Sequence, residues 1–163
     1  MIGRRTFLAA TGLTATGLAV SGLAPGLSSP AFAGSGVISA QEAYDRLTAG
    51  KLILIDIRTP EEWVETGVAP GAWLLDMRAR EFGSWIAATV EFNPGHEVAM
   101  ICRTGNRTGR VMQWLRGNDF DGVMDVSEGM IGGRHGRGWI PSGLPVVPAQ
   151  EAFDAMPKDL RAA

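Results

Sequence analysis

The segment ICRTGNRTGR, residues 101 to 110, carries the single cysteine of a 163-residue chain. Cys102 is followed by Arg103, Thr104, Gly105, Asn106, Arg107 and Thr108, an order of residue types that suggests anion chemistry. Gly105 and Asn106 tolerate positive φ, so the backbone can curl until several N–H groups point inward at the start of a helix expected at about Thr108. A thiol at the centre of such a ring, with Arg103 and Arg107 beside it, is favoured as the nucleophilic thiolate. Two reactions suit that arrangement: phosphoryl transfer, and transfer of sulfane sulfur through a persulfide. A lone cysteine has no disulfide partner within the chain, so the competing reading is an inert core thiol.

The elements around this segment have local signatures. Ser39 and Glu42 form a capping box that starts a helix over 39–50, with Gly50 as its stop. Leu52 to Ile57 is a continuous apolar run too short for a helix, and reads as a buried strand. Thr59, Pro60 and Glu62 open a second helix, which Gly67, Pro70 and Gly71 end. Glu61 and Glu62 are explained by that helix start. Ala72 to Leu75 reads as a short strand, and Glu81 to Val90 as a helix on the spacing of Phe82, Trp85, Ile86 and Thr89. Glu97 to Ile101 is the strand that delivers Cys102. The helix after the cysteine carries Val111, Met112 and Leu115 on one side. Gly122 to Val126 is a further strand, Ser127 to Gly143 a glycine-rich loop, and Ala149 to Met156 a last helix. Strands alternating with helices at these lengths imply an α/β sandwich with a mainly parallel sheet, in which ligands lie beyond the carboxyl ends of the strands. Asp56 and Cys102 both fall at such ends.

The first thirty-three residues differ from the rest. Arg4 and Arg5 precede a run without charge from Phe7 to Leu27, and Ala31 and Ala33 offer small side chains to a signal peptidase. The stretch GRRTFL resembles the twin-arginine export signal. It implies passage through the twin-arginine export machinery, cleavage between Ala33 and Gly34, and a periplasmic or otherwise exported product; a retained membrane anchor is the alternative. Residues 34–38 read as a tether, 39–147 as the domain, and 148–163 as a C-terminal helix and tail. The whole chain has a formal net charge of -2. That gives no basic surface for nucleic acid, so nucleic acid is excluded as an expected partner.

DIRTPEEW (56–63), GVAPGA (67–72), CRTGNRT (102–108), VSEGMIGG (126–133) and GWIPSGLPV (138–146) together resemble the segments of a single-domain rhodanese in order. Loop length favours the same family: cysteine-dependent phosphatases place an arginine where this chain has Thr108, whereas the span from Cys102 to Arg107 matches the shorter rhodanese loop. The resemblance implies a rhodanese-like three-layer α/β sandwich and a sulfurtransferase. It would move sulfur from thiosulfate or another persulfide donor to a thiol or cyanide acceptor, with a protein acceptor also compatible. Cys102 would carry the persulfide inside the cradle Arg103–Thr108. Arg103 would bind the anionic donor, and Arg107 would either do the same or hold the loop through an ion pair. Asp56 and Arg58 would buttress the loop. No cofactor or metal is implied. A rhodanese-like binding or sensing module, and a phosphatase or arsenate reductase, are the alternatives.

Two departures from the family pattern stand out. Val68 occupies a position usually held by His or a similar residue, and GMIGGRHGR intervenes before Trp139, where it could form a lid or a docking surface. His135 in that insertion has only His96 elsewhere in the chain, too few for a metal set. Arg134 and Arg137 either add positive potential near the site or are solvated loop charges. Trp63, Trp85, Trp114 and Trp139 read as packing residues.

Overall fold

The computed structural model describes residues 36–161. The export signal and its cleavage site lie outside the described residues. Five strands form one sheet in the order β1-β5-β4-β2-β3, and every pairing is parallel. These are β1 (Gly36–Ile38), β2 (Leu52–Asp56), β3 (Trp73–Leu74), β4 (Glu97–Ile101) and β5 (Val123–Val126). All residues of β2 and β5 are buried, as expected of strands covered on both faces by helices. The result is the α/β sandwich expected, with a wholly parallel sheet at its centre.

Local chemistry sets the first two helix starts. Helix α1 (Ala40–Thr48) has the Ser39–Glu42 capping box, and α2 (Pro60–Thr66) has the Thr59–Glu62 box with Pro60 in its first turn. Helix α3 (Phe82–Phe92) buries Phe82, Ile86 and Thr89, while α4 (Asn106–Gly117) buries Val111, Met112 and Leu115. Helices α5 (Ala149–Ala155) and α6 (Lys158–Arg161) follow the long loop, and α6 has no counterpart in the expected elements.

Three differences from expectation have physical causes. Part of the tether, Gly36–Ile38, is an edge strand, because Ile38 comes into register with Val126 and is buried there. Helix α4 begins at Asn106 rather than about Thr108, because Gly105 adopts φ +81° and turns the chain directly into the first helical residue. Trp114 is 55% exposed on the outward side of α4, so it is not the packing residue its type suggested. Trp63 and Trp139 are buried, and the Trp139 indole donates to the Pro145 carbonyl at 2.8 Å. Val68, at the departing position, is fully buried and exchanges backbone hydrogen bonds with Val147 at 3.0 and 2.9 Å.

Candidate active site

The register of the central strands sets the site. Asp56 pairs with Ile101 and Ile101 with Val126, so the carboxyl ends of β2, β4 and β5 finish level with one another. Cys102 leaves the middle strand at that edge, flanked by Ile57 and Ser127 from its neighbours. The Ile57 N–H donates to the Ile101 carbonyl at 3.0 Å, which continues the ladder one residue past β2.

Cys102 is a free thiol with no exposed surface. Its Sγ accepts a hydrogen bond from the Gly105 N–H at 3.2 Å and lies 3.7 Å from the Thr108 hydroxyl. Of the inward amides expected around the sulfur, Gly105 is the one that bonds to it among the described residues. Its N–H opens a twelve-residue helix, so amide and helix dipole both favour negative charge on the sulfur. The Thr108 hydroxyl also donates to the Gly105 carbonyl at 3.1 Å, which closes the loop on itself. Asn106 donates to the Thr104 hydroxyl at 3.1 Å on the outer side. Only glycine fits at position 105, because a Cβ there would collide with the Ser127 carbonyl oxygen.

The chain after β5 presses on the same loop. Met130 N–H donates to the Cys102 carbonyl at 2.8 Å, and Ile131 N–H to the Arg103 carbonyl at 3.0 Å. Gly129, at φ +70°, lets the two backbones meet, since a Cβ there would stand 2.6 Å from the Arg103 oxygen. Farther along, the His135 ring edge is 3.3 Å from where a Cβ on Gly105 would be. The insertion before Trp139 therefore lies against the cysteine loop.

Asp56 and Arg58, expected to buttress the cysteine loop, lie at the end of β2, both fully buried, and the hydrogen bonds of Arg58 run to Asp56 and to the α2 segment. Arg58 spends every guanidinium N–H: Nε and Nη2 meet the Asp56 carboxylate at 2.7–3.0 Å, Nη1 reaches Thr66 Oγ1 at 2.7 Å and the Glu62 carbonyl at 3.3 Å, and Nη2 also reaches the Gly67 carbonyl at 2.8 Å. A planar five-donor fork can do this where an ammonium cannot. The pair fixes the C-terminal part of α2 against the tip of β2.

Both loop arginines are already occupied. Arg107 makes a two-pronged bond to Glu62, each N–O distance 2.6 Å. Arg103 meets Glu65 at 3.0 Å and Glu62 at 3.6 Å. Glu62 thus does two jobs, since its Oε2 also accepts the Thr59 N–H at 3.1 Å in the capping box. Hydrogen bonding from Arg107 holds the Glu62 carboxyl at about 2, against an ordinary 4.5, and outweighs the opposing cost of burial. Sequence reasoning explained Glu62 by its helix cap and gave Glu65 no role. An ion pair was among the roles expected of Arg107, but nothing local tied Glu62 or Glu65 to arginines some forty residues on.

Asp125 also escaped the sequence reading. It is 7% exposed on β5, and its Oδ1 has no hydrogen-bond partner. Burial raises its pKa above the ordinary aspartate value, opposed by the Thr108 hydroxyl and by His135 and Arg116.

A buried thiol capped by a helix-opening amide, a fully paired Asp–Arg pair at the end of the neighbouring strand and a returning glycine-rich segment against the cysteine loop form one unit at the sheet edge. Known proteins share this fold. Rv0390 from M. tuberculosis is 20% identical with a TM-score of 0.54, over 71% of this chain and 99% of that one. A rhodanese-related protein from Thermoplasma volcanium is 24% identical with a TM-score of 0.50, over 68% and 96%. In sequence, the Rhodanese-like/PpiC domain-containing protein 12, chloroplastic, of Arabidopsis thaliana is 32% identical over 78 residues, which are 47% of this chain and 25% of that protein. The chain thus corresponds to a quarter of that relative's length. The model of the Rhodanese-like domain matches residues 39–132, from the cap of α1 through the cysteine loop to the segment that covers it, and the chain belongs to that family.

Proposed function

We propose that this protein is a sulfurtransferase that carries sulfane sulfur as a persulfide on Cys102. The observation that carries the proposal is the Gly105 N–H aimed at the Cys102 sulfur from the first turn of α4. A donor of that kind stabilises negative charge on whichever sulfur occupies the pocket, the thiolate before transfer and the persulfide after it.

The reaction balances without any added oxidant. The Cys102 thiolate attacks the outer sulfur of thiosulfate, the bond between the two donor sulfurs breaks, and sulfite leaves with the electron pair. The new S–S bond on Cys102 keeps one negative charge, and a thiolate or cyanide acceptor then attacks the terminal sulfur to regenerate the thiolate. The two arginines divide the work. Arg103 pairs with an exposed Glu65, where solvent screens the attraction, and can exchange that partner for the donor's oxygens. Arg107, clamped on both prongs by a largely buried Glu62, holds the loop. Thr104, Asn106 and Thr108 complete the cradle with Gly105. The sulfur is covered at rest, so donor entry requires the overlying segment to shift.

The leader extends the proposal to an exported protein that uses the twin-arginine route, with cleavage after Ala33 and work on periplasmic donors and acceptors. Intact-mass measurement tests the chemistry. Incubation with thiosulfate adds one sulfur atom to the wild type and none to Cys102→Ser. A wild-type protein that takes up no sulfur from thiosulfate or from an organic persulfide refutes it.

A further inference from the structure

The two cations of the cysteine loop are matched one for one by acids: Arg103 and Arg107 face Glu62 and Glu65. An anionic donor approaching the mouth of the loop therefore meets little net charge from these four side chains. Positive charge is present next door. Gly133 and Gly136 exchange backbone hydrogen bonds at 3.0 and 3.3 Å, forming a tight turn with Arg134 and His135 at its tip and Arg137 immediately after it. All three side chains are exposed. Neither arginine enters an ion pair among the described residues.

The turn is fixed in place. A Cβ on Gly133 would be 3.2 Å from the Thr104 carbonyl oxygen, and the His135 ring edge lies over Gly105, the residue whose N–H binds the sulfur. Of the two acids closest in sequence, Glu128 accepts the Gly138 N–H at 3.0 Å with its carboxylate against Gly136, where it offsets one of the two cations, and Asp125 is sunk in β5. The turn that carries both cations thus packs against the cysteine loop at Thr104 and Gly105. The close approach to the cradle is made at Gly129, against Arg103, and at Gly133, against Thr104.

We propose that the turn bearing Arg134 and Arg137 is an anion-recognition element that draws negatively charged sulfur donors to Cys102. This rests on the sulfurtransferase reading for the identity of the anion, while the charge effect itself can be measured without it. With low net charge among Arg103, Arg107, Glu62 and Glu65, the turn adds selectivity for a sulfonate-bearing donor over a neutral one to the contact that Arg103 makes.

The test compares alkylation of Cys102 by iodoacetate and by iodoacetamide, reagents of similar size that differ by one negative charge. Their rate ratio cancels the accessibility of the thiol and reports the local potential. Arg134→Gln with Arg137→Gln is expected to lower the iodoacetate-to-iodoacetamide ratio roughly three- to tenfold at low salt. The loss shrinks as ionic strength rises. Arg134→Lys with Arg137→Lys restores the ratio, and Arg110→Gln, on the outer side of α4, leaves it unchanged. An unaltered ratio in the double Gln variant overturns the proposal, as does a thiol that neither reagent reaches. Persulfide formation separates the two readings. If thiosulfate and a neutral organic persulfide both load the wild type, the double Gln variant slows loading from thiosulfate by the same factor and leaves the neutral donor alone. If neither donor loads the wild type, the sulfurtransferase reading fails, and the alkylation ratio still decides whether the turn recognises anions.

Discussion

Replacement of Glu62 by Gln isolates the charge that clamps the cysteine loop. The side chain keeps its length, and its amide oxygen can still accept the Thr59 N–H, so the capping box survives. What is lost is the ionic bond to Arg107, two contacts of 2.6 Å. The fall of the Glu62 carboxyl from 4.5 to about 2 is equivalent to about 3 kcal/mol of preference for the ionised, paired form. Arg107 and Glu62 keep 30% and 13% of their side-chain surface exposed, and solvent screening brings the expected loss to about 2 kcal/mol at pH 7. For a domain of this size that is a fall of roughly 6–12 °C in Tm. The pH dependence is the sharper reading. A carboxyl with a depressed folded-state pKa contributes stability above its unfolded value and loses it as the pH falls through the folded one. The difference between wild type and Glu62→Gln therefore stays constant from pH 7 to about 5 and shrinks between 4.5 and about 2. Urea unfolding across that range, with Arg107→Met completing a double-mutant cycle, provides the assay. A difference independent of pH, or a coupling to Arg107 below about 0.5 kcal/mol, would refute the assignment of this ion pair as the clamp.

Other substitutions probe the remaining parts. Arg58→Ala leaves the Asp56 carboxylate fully buried without its partner, at an expected cost of about 3–5 kcal/mol, measured by chemical denaturation. Gly105→Ala forces a Cβ into the Ser127 carbonyl and strains a residue held at φ +81°; it should cost at least about 1 kcal/mol and abolish sulfur loading, since the N–H that meets the sulfur must move. Asp125→Asn removes a charge that burial disfavours, so Tm should rise at pH 7 and be unchanged near pH 2, where both folded and unfolded wild type carry the proton. A lower Tm at pH 7 would show that this carboxylate has a partner in solution.

Elements with short-range causes were legible from sequence. The Thr59–Pro60–Glu62 cap and the unbroken apolar run from Leu52 each contain their whole explanation within a few residues, and both elements form where expected. The strand Glu97–Ile101 matches to the residue. What sequence missed depends on partners far along the chain. Three residues at Gly36–Ile38 have no detectable period, and only the ladder with Met124–Val126 makes them a strand. The start of α4 turned on one backbone angle at Gly105, which is demanded by Ser127 rather than by its own neighbours. Glu62 shows the limit most clearly: its capping role is local and was read, whereas its grip on Arg107 spans forty-five positions. The same holds for His135, whose type is visible in sequence but whose apposition to Gly105 is a product of the fold.

The edge strand sets an order on biosynthesis. Gly36–Ile38 comes first among the described strands, yet its hydrogen-bonding partner is Val123–Val126, the last of them. At a translation rate of roughly 5–20 residues per second, several seconds pass between the emergence of the two. Over that interval the sheet can grow outward from β2 and β4 while its opening strand hangs free. Closing that edge is then a late, long-range step, and it fastens the outer flank of the same strand whose end runs into Ser127.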